Sequence, residues 1–281
     1  MKKVLVTGAT GFIGNYLIQE LLFRNFEIIA TSSNTEKAES FKWFSQVTYK
    51  SLDFNQLNNS INYYEYFEEP DLLIHLAWEG LPNYKEAFHV TENLPKHKLF
   101  LANLIKNGLK NILVTGTCFE YGLQEGELNE EMECKPNNAY AIAKNELRLF
   151  LESFKIDLKW LRLFYMFGKG QSQKSLISQL DNALNNNDEV FNMSGGEQVR
   201  DFLPVEIIAE NIVNIAIQNK VNGVINCCSG IPITVKKFVE NYIEKKQKKI
   251  KLNLGYYPYP DFEPMHFWGN NNKLKQLLKN V

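Results

Sequence analysis

Charge of one sign is what this chain has least of: 31 Lys and Arg face 32 Asp and Glu, for a formal net charge of −1. A protein that grips nucleic acid through its phosphates carries a basic surplus, so no such partner is expected. One basic cluster exists, Lys245-Lys246-Gln247-Lys248-Lys249-Ile250-Lys251, and it reads as a solvated helix end. Cysteine is scarce as well. Cys118, Cys134, Cys227 and Cys228 show neither metal-ligand spacing nor a disulfide framework, so a reducing compartment and no metal are expected. No apolar run is long enough to cross a bilayer, and the first apolar run leaves no room ahead of it for a signal peptide. A soluble, cytoplasmic chain without a membrane partner is expected. Internal repeats and low-complexity stretches are lacking too. At 281 residues with 44% hydrophobic content, the chain suits one large domain or two modest ones.

What is present concentrates first at Val4-Leu5-Val6-Thr7-Gly8-Ala9-Thr10-Gly11-Phe12-Ile13-Gly14. An apolar run ends in glycines spaced G-x-x-G-x-x-G, and a helical pattern of Leu17, Ile18, Leu21 and Leu22 follows. The pattern predicts a strand, a tight turn and a helix N-terminus, whose open N–H groups and positive dipole end suit a pyrophosphate. The alternative is an ordinary strand–helix turn. Further strands are expected at Phe26–Ala30, Val47–Asp53, Asp71–Ala77, Asn111–Thr115 and Leu158–Phe164. An NAD site carries an acid at the end of its second strand, for the ribose 2′-OH. Thr31-Ser32-Ser33 offer hydroxyls and no acid there, with Lys37 close behind, so NADP(H) is favoured over NAD(H). Asp71–Ala77 is continuously apolar, as a strand buried on both faces should be, and His75 reads as a packed strand-end histidine. Trp78, Glu79 and Tyr84 follow at the carboxyl end of the sheet, where ligands bind in open α/β folds. Tyr140 and Lys144, four apart on a helix, share one face.

The turn TGATGFIG, Thr117 placed four residues before Tyr121-Gly122, and the Y-x-x-x-K of Tyr140–Lys144 resemble the extended short-chain dehydrogenase/reductase family, over Val4 to about Phe238. The resemblance implies an α/β fold: a Rossmann-type doubly wound parallel sheet with a smaller C-terminal substrate-binding lobe. The dinucleotide-binding part is expected over 1–165 with return segments near 203–228, and the second lobe mainly over 166–281. At that boundary the Val205–Ala209 helix is taken as returning, while the Val221–Cys228 strand and Thr234–Lys245 helix are given to the smaller lobe. By resemblance Gly8, Thr10, Gly11, Phe12, Ile13 and Gly14 line the pyrophosphate, and Thr31, Ser32 and Ser33 the adenosine ribose. Asp53 and Phe54 meet the adenine, Asp53 being alternatively a helix cap. Leu76 and Ala77 belong to a motif like H-L-A-A, with Trp78 replacing its last alanine. Asn93 matches an asparagine beneath the active site, or else is an exposed helix residue.

The same resemblance assigns the chemistry to Thr117, Tyr140 and Lys144. A ketone accepting hydride builds negative charge on oxygen, which Tyr140 would protonate. The Lys144 cation would pull the phenol down from about 10 toward the operating pH and reach the nicotinamide ribose, while Thr117 holds the substrate oxygen. After Thr117, 4,6-dehydratases carry Asp-Glu. Cys118-Phe119 stand here, leaving no dehydration machinery. Epimerase-reductases of the GDP-fucose type place cysteine where Phe119 stands, so Cys118 reads as a small buried hydrophobe. Arg162 and Gly168 fit R-x-x-N-x-x-G, but Tyr165 and Met166 depart from it. Gly195 to Phe202 resembles G-x-x-x-R-D-[FY], whose arginine reaches a sugar-nucleotide diphosphate. Arg200 fits that role, a surface pair with Asp201 being the alternative. Trp78, Glu79, Cys118, Phe119, Tyr165 and Arg200 are therefore the expected substrate contacts. The acids from Glu125 to Glu133 read as solvated, and the Tyr256–Pro260 segment as a cleft cover or a simple turn.

Together these imply an NADP-dependent reductase of the 4-keto group of a dTDP-, CDP- or GDP-linked 6-deoxysugar, resembling 4-ketoreductases of the CDP-abequose synthase and dTDP-fucose synthase type. A 4-epimerase retaining NAD is one alternative. A non-catalytic dinucleotide sensor is another, although such proteins lose the tyrosine or lysine that this chain keeps. A homodimer through the helices of Asn93 and Tyr140 is what the family implies.

Overall fold

A computed structural model describes residues 2–279. Seven strands form one parallel sheet in the order Gly223–Cys227, Asp157–Leu163, Asn111–Thr117, Leu72–His75, Lys3–Thr7, Glu27–Thr31, Thr48–Tyr49. The order reverses between Lys3–Thr7 and Leu72–His75, and it is outside such a switch point that open α/β sheets bind ligands. Alternation along the first strand explains why both faces are covered. Val4 and Val6 enter one apolar cluster, with Leu17, Leu21 and Ile212 of the Phe12–Phe23 and Val205–Ile217 helices. Leu5 enters the other, with Leu101, Leu104 and Leu147 of the Leu94–Lys106 and Ala139–Glu152 helices.

Two glycines fix the first turn. Gly8 has φ +69°, and a Cβ there would lie 2.9 Å from the Ala77 nitrogen. A Cβ on Gly14 would come within 2.3 Å of the Gly8 carbonyl oxygen, so helix and turn close up only on glycine.

Three expectations shift. The Val221–Cys228 strand does not belong to the smaller lobe: Gly223–Cys227 pairs in parallel with Asp157–Leu163 as the sheet's edge. Its apolar run reports burial but not which sheet is joined. The third strand shrinks to Thr48–Tyr49, because Asp53 turns the chain by capping the short Phe54–Gln56 helix. The helix expected to carry Asn93 starts with a π turn at His89–Asn93 and becomes regular only at Leu94, where Pro95 suits the first turn.

Outside the seven-stranded sheet short strands pair two by two. They include Tyr165–Phe167 with Phe202–Pro204 and Gly126–Leu128 with Phe267–Gly269. The Leu176–Asn186 and Val235–Lys245 helices enclose a separate apolar cluster around Leu180 and Val239. Among the described residues no helix is long and apolar enough to cross a membrane.

Candidate active site

The Phe12–Phe23 helix begins at Gly11 with no side-chain cap and no acid in its first turn, so its N–H groups are open at the switch point. That is a fit for a pyrophosphate, with Thr10, Phe12 and Ile13 around it. At the end of the second strand Thr31 is buried, and its hydroxyl has no hydrogen-bond partner. Ser32 Oγ lies 3.0 Å from the Tyr49 hydroxyl, and Ser33 is exposed. Asp53 spends its carboxylate on Asn55, accepting from the backbone nitrogen at 2.8 Å and from Nδ2 at 3.0 Å. The Phe54 ring packs on His97 and Phe100. Leu76 and Ala77 lie against the Gly8 turn.

The Asn111–Thr117 strand runs straight into a short helix, Cys118–Tyr121, which Thr117 caps through its hydroxyl. Glu120 returns the favour by accepting from the Thr117 backbone nitrogen at 2.9 Å. The Ala139–Glu152 helix is capped by Asn138, whose side chain accepts from Ala141 N. Its first turn is tied down by Tyr140 N donating to the Tyr84 carbonyl at 3.0 Å. Thr117, Tyr140 and Lys144 are all buried, and the Thr117 side chain lies near enough to Tyr140 to favour its charged form. Lys144 Nζ sits 4.4 Å above the Trp78 ring, whose centroid is 6.0 Å from that of Tyr140.

The electrostatics correct one expectation. Burial pushes the Tyr140 phenol well above its ordinary value; Tyr84, Glu120 and Cys118 add to the rise, and the Thr117 side chain opposes it. Lys144 is not what sets this phenol. Burial instead drives the Lys144 ammonium down to about 7, with Glu120 alone pulling back. Spacing puts the two on one helix face but does not say how dry that face is.

Around the triad the rings of Tyr84, Phe119 and Phe262 pack on one another, with Tyr84 also 5.6 Å from Tyr140. Burial lifts the Tyr84 hydroxyl to about 12 and holds the Cys118 thiol far above its ordinary value, so Cys118 behaves as an inert apolar filler. Glu79 is exposed, and its carbonyl accepts from Asn93 Nδ2 at 3.0 Å. Asn93 is thus buried beneath the site, not an exposed helix residue.

Arg200 is the second correction. It is no surface partner of Asp201, whose buried carboxylate accepts from Ser229 N and Gly230 N at 2.7 and 2.8 Å. Arg200 is itself buried and pairs with Glu263 at 2.8 Å, and the Tyr165 hydroxyl donates to the same carboxylate. Phe262 and Glu263 belong to a strap that crosses the cleft, pinned at one side by Lys85 on Asp261 at 2.6 Å. The Phe267–Gly269 strand anchors it beyond. Phe262 packs on Tyr84 and Phe119 and Glu263 pairs with Arg200, whereas Tyr256 and Tyr257 are exposed. The acids expected to be solvated are mostly exposed, as Glu125, Glu127, Glu131 and Glu133 are, and three of the run also hold backbone or side chains near the strap: Glu125 accepts from Met265 N, Glu127 from Asn270 Nδ2, Glu130 from Asn226 N. Sequence reasoning missed Phe262, Glu263 and Glu120. For Glu120 a signal existed, the T-x-x-E capping box at Thr117; for the other two none did.

With this geometry in hand, comparison with known proteins adds three findings. The model of the NAD dependent epimerase/dehydratase family matches residues 4–228. Among curated proteins the chain is similar to dTDP-6-deoxy-L-talose 4-dehydrogenase (NAD(+)) of Aggregatibacter actinomycetemcomitans, 31% identical over 272 residues, covering 95% of this chain and 99% of that protein. It is also similar to GDP-6-deoxy-D-talose 4-dehydrogenase of the same organism, 27% identical over 288 residues, covering 99% and 92%. Among solved structures, a UDP-N-acetylglucosamine 4-epimerase from Methanobrevibacter ruminantium M1 superposes with a TM-score of 0.86 at 23% identity, over 98% of this chain and 91% of that one. That likeness speaks for the fold.

Proposed function

The chain belongs to the NAD dependent epimerase/dehydratase family, and from that premise we propose that it interconverts ketone and alcohol at C4 of a nucleotide-diphosphate-linked 6-deoxyhexose, working as a 4-ketoreductase. The observation that carries the reading is the convergence of Thr117, Tyr140 and Lys144 beside the uncapped helix, with Cys118-Phe119 in place of an acid pair. The two curated relatives support C4 and the 6-deoxyhexose by their names, and since one is a dTDP-sugar and the other a GDP-sugar enzyme they leave the base open.

A bound dinucleotide would supply the hydride, held by the Gly8–Gly14 turn and Lys144. Thr117 and Tyr140 take the ketone oxygen between two hydroxyls. As that oxygen becomes negative, Tyr140 gives up its proton, and the Lys144 ammonium steadies the phenolate left behind. Burial keeps Tyr140 protonated in the free site, so the phenol stands as the proton donor that the reducing direction needs. Arg200 receives the diphosphate, exchanging Glu263 for phosphate oxygens. The acid-free Thr31-Ser32-Ser33 turn supports NADP(H), whereas the NAD(+) in the name of the talose dehydrogenase supports NAD(H). Pairing through the Leu94–Lys106 and Ala139–Glu152 helices, where Ile142 and Leu149 are exposed, completes the proposal as a homodimer.

The test is loss of reduced-nicotinamide absorbance with NADPH or NADH and 4-keto-6-deoxyhexoses on dTDP, CDP and GDP. Turnover with one combination supports the reading, and none with any overturns it. A 4-epimerase on the same triad would instead keep its dinucleotide through purification and consume none.

A further inference from the structure

The chemistry above leaves three of the chain's four histidines and Trp78 without a task, and they lie together. Among the described residues no hydrogen bond or ion pair engages the Lys144 ammonium; what it meets is the Trp78 ring at 4.4 Å and, farther off, the Trp160 ring at 5.9 Å. The indole face is the negative end of its quadrupole. Trp78 is in turn locked from behind. Its N–H donates to His89 Nδ1 at 3.1 Å, and its ring stacks on His97 at 4.6 Å with planes 14° apart. His89 Nε2 lies 3.1 Å from the Asn83 carbonyl oxygen, to which it donates, so Nδ1 is left as the acceptor that the indole requires. His97 Nδ1 is 2.8 Å from His75 Nε2, and His75 Nδ1 is 2.8 Å from the Thr7 hydroxyl. A charged imidazole behind the indole would oppose the ammonium in front of it. Burial keeps all three histidines neutral, and Lys144 itself pushes them the same way.

We infer that Trp78 is the positioning residue of Lys144: its indole face, locked by His89 and His97, seats the ammonium beside Tyr140 until a dinucleotide takes it up. The inference rests on the proposed roles of Tyr140 and Lys144, and its test is chosen to stand apart from sugar turnover. The groups facing Lys144 are Tyr140 one turn earlier, Glu120 from the short Cys118–Tyr121 helix, Trp160, and the wall of Trp78 with His75, His89 and His97. Of the carboxylates, Glu120 is the one that acts on Lys144, and it is already engaged with Arg162, Trp160 and the Thr117 nitrogen.

The experiment measures the pH dependence of the dissociation constants of NADH and NADPH, by nicotinamide fluorescence, which needs no sugar. In the unmodified chain affinity should weaken above a break near the Lys144 value of about 7. Lys144→Met should have no break, which assigns it. Trp78→Leu removes the face and should move the break down by about one pH unit, the size of a desolvated cation–ring contact. Trp78→Phe keeps a face and should stay within about a third of a unit of the original. His89→Leu frees the indole and should move the break down by less than Trp78→Leu does. A break that stays in place in Trp78→Leu, or that moves as far in Trp78→Phe, overturns the inference. If Trp78→Leu fails to fold by circular dichroism, an unmoved break in His89→Leu overturns it. Should these breaks shift while no ketosugar is turned over, the seat stands and the reductase reading falls.

Discussion

Arg162 and Arg200 are both buried and both paired at 2.8 Å with a carboxylate, yet their partners are held in different ways. Arg162 sits in a strand register opposite Gly116 and meets Glu120 of the short Cys118–Tyr121 helix that follows that neighbouring strand. Glu120 also accepts from the Trp160 indole at 3.0 Å and caps the turn that presents Thr117. Nothing in that arrangement can leave without breaking the sheet. Arg200 meets Glu263, which arrives on a strap 63 residues later and is shared with the Tyr165 hydroxyl. Under the proposed function the same pairing is scaffold where one partner sits in a strand and the other in its capped turn, and an exchangeable contact where the carboxylate arrives on the strap. Lys144 stands as a third case, a buried cation with a ring in place of a dedicated carboxylate.

The comparison breaks hardest at Glu120. Glu120→Gln leaves Arg162 buried and uncompensated, and should cost about 3–5 kcal/mol in denaturant unfolding, with activity falling as Thr117 loses its cap. Equal losses for Glu263→Gln would erase the distinction. Arg200→Leu comes next: it should raise KM for the sugar nucleotide by about 10- to 100-fold, the worth of charge-assisted hydrogen bonds, and leave kcat within a few-fold. A fall in kcat with KM unmoved would make Arg200 scaffold after all.

Across pH the arginines stay charged, so Lys144 and the histidines set the slope. Folded Lys144 gives up its proton near about 7 whereas the unfolded chain keeps it to about 10.4, so unfolding free energy should rise between those values. Below about 7 the penalty is present in full. Folded His75, held down to about 3, stays neutral while the unfolded chain protonates below about 6.5, so stability should fall as pH drops through that window. Lys144→Met should flatten the alkaline slope alone. The smallest effect belongs to Asp261→Asn, which removes the exposed partner of Lys85. Its unfolding midpoint should match that of the unmodified chain, with a change in KM under about twofold that vanishes in high salt.

Much of the first half was legible because its signals are local. Glycine spacing announces the turn at Gly8–Gly14, continuous apolar runs announce strands buried on both faces, and a four-residue interval puts Tyr140 and Lys144 on one side of a helix. What was illegible is set by distance or by depth. The apolar run at 223–227 looks alike whether it edges the large sheet or sits in a lobe, and only pairing with Asp157–Leu163 decides. Glu263 reaches Arg200 because Phe267–Gly269 pairs with Gly126–Leu128, a match between short segments that no periodicity advertises. The dryness that moves Lys144 and Tyr140 in opposite senses depends on rings from four separate stretches, Trp78, Tyr84, Phe119 and Phe262.

The strap also comes late in the chain. Asp261, Phe262 and Glu263 follow Tyr84, Lys85, Phe119, Asn137, Tyr165 and Arg200, the partners they meet, in the order of synthesis. A chain ending before Asp261 would lack the Phe262 ring against Tyr84 and Phe119 and the carboxylate that pairs with Arg200. The last stretch of sequence thus closes over partners laid down long before it.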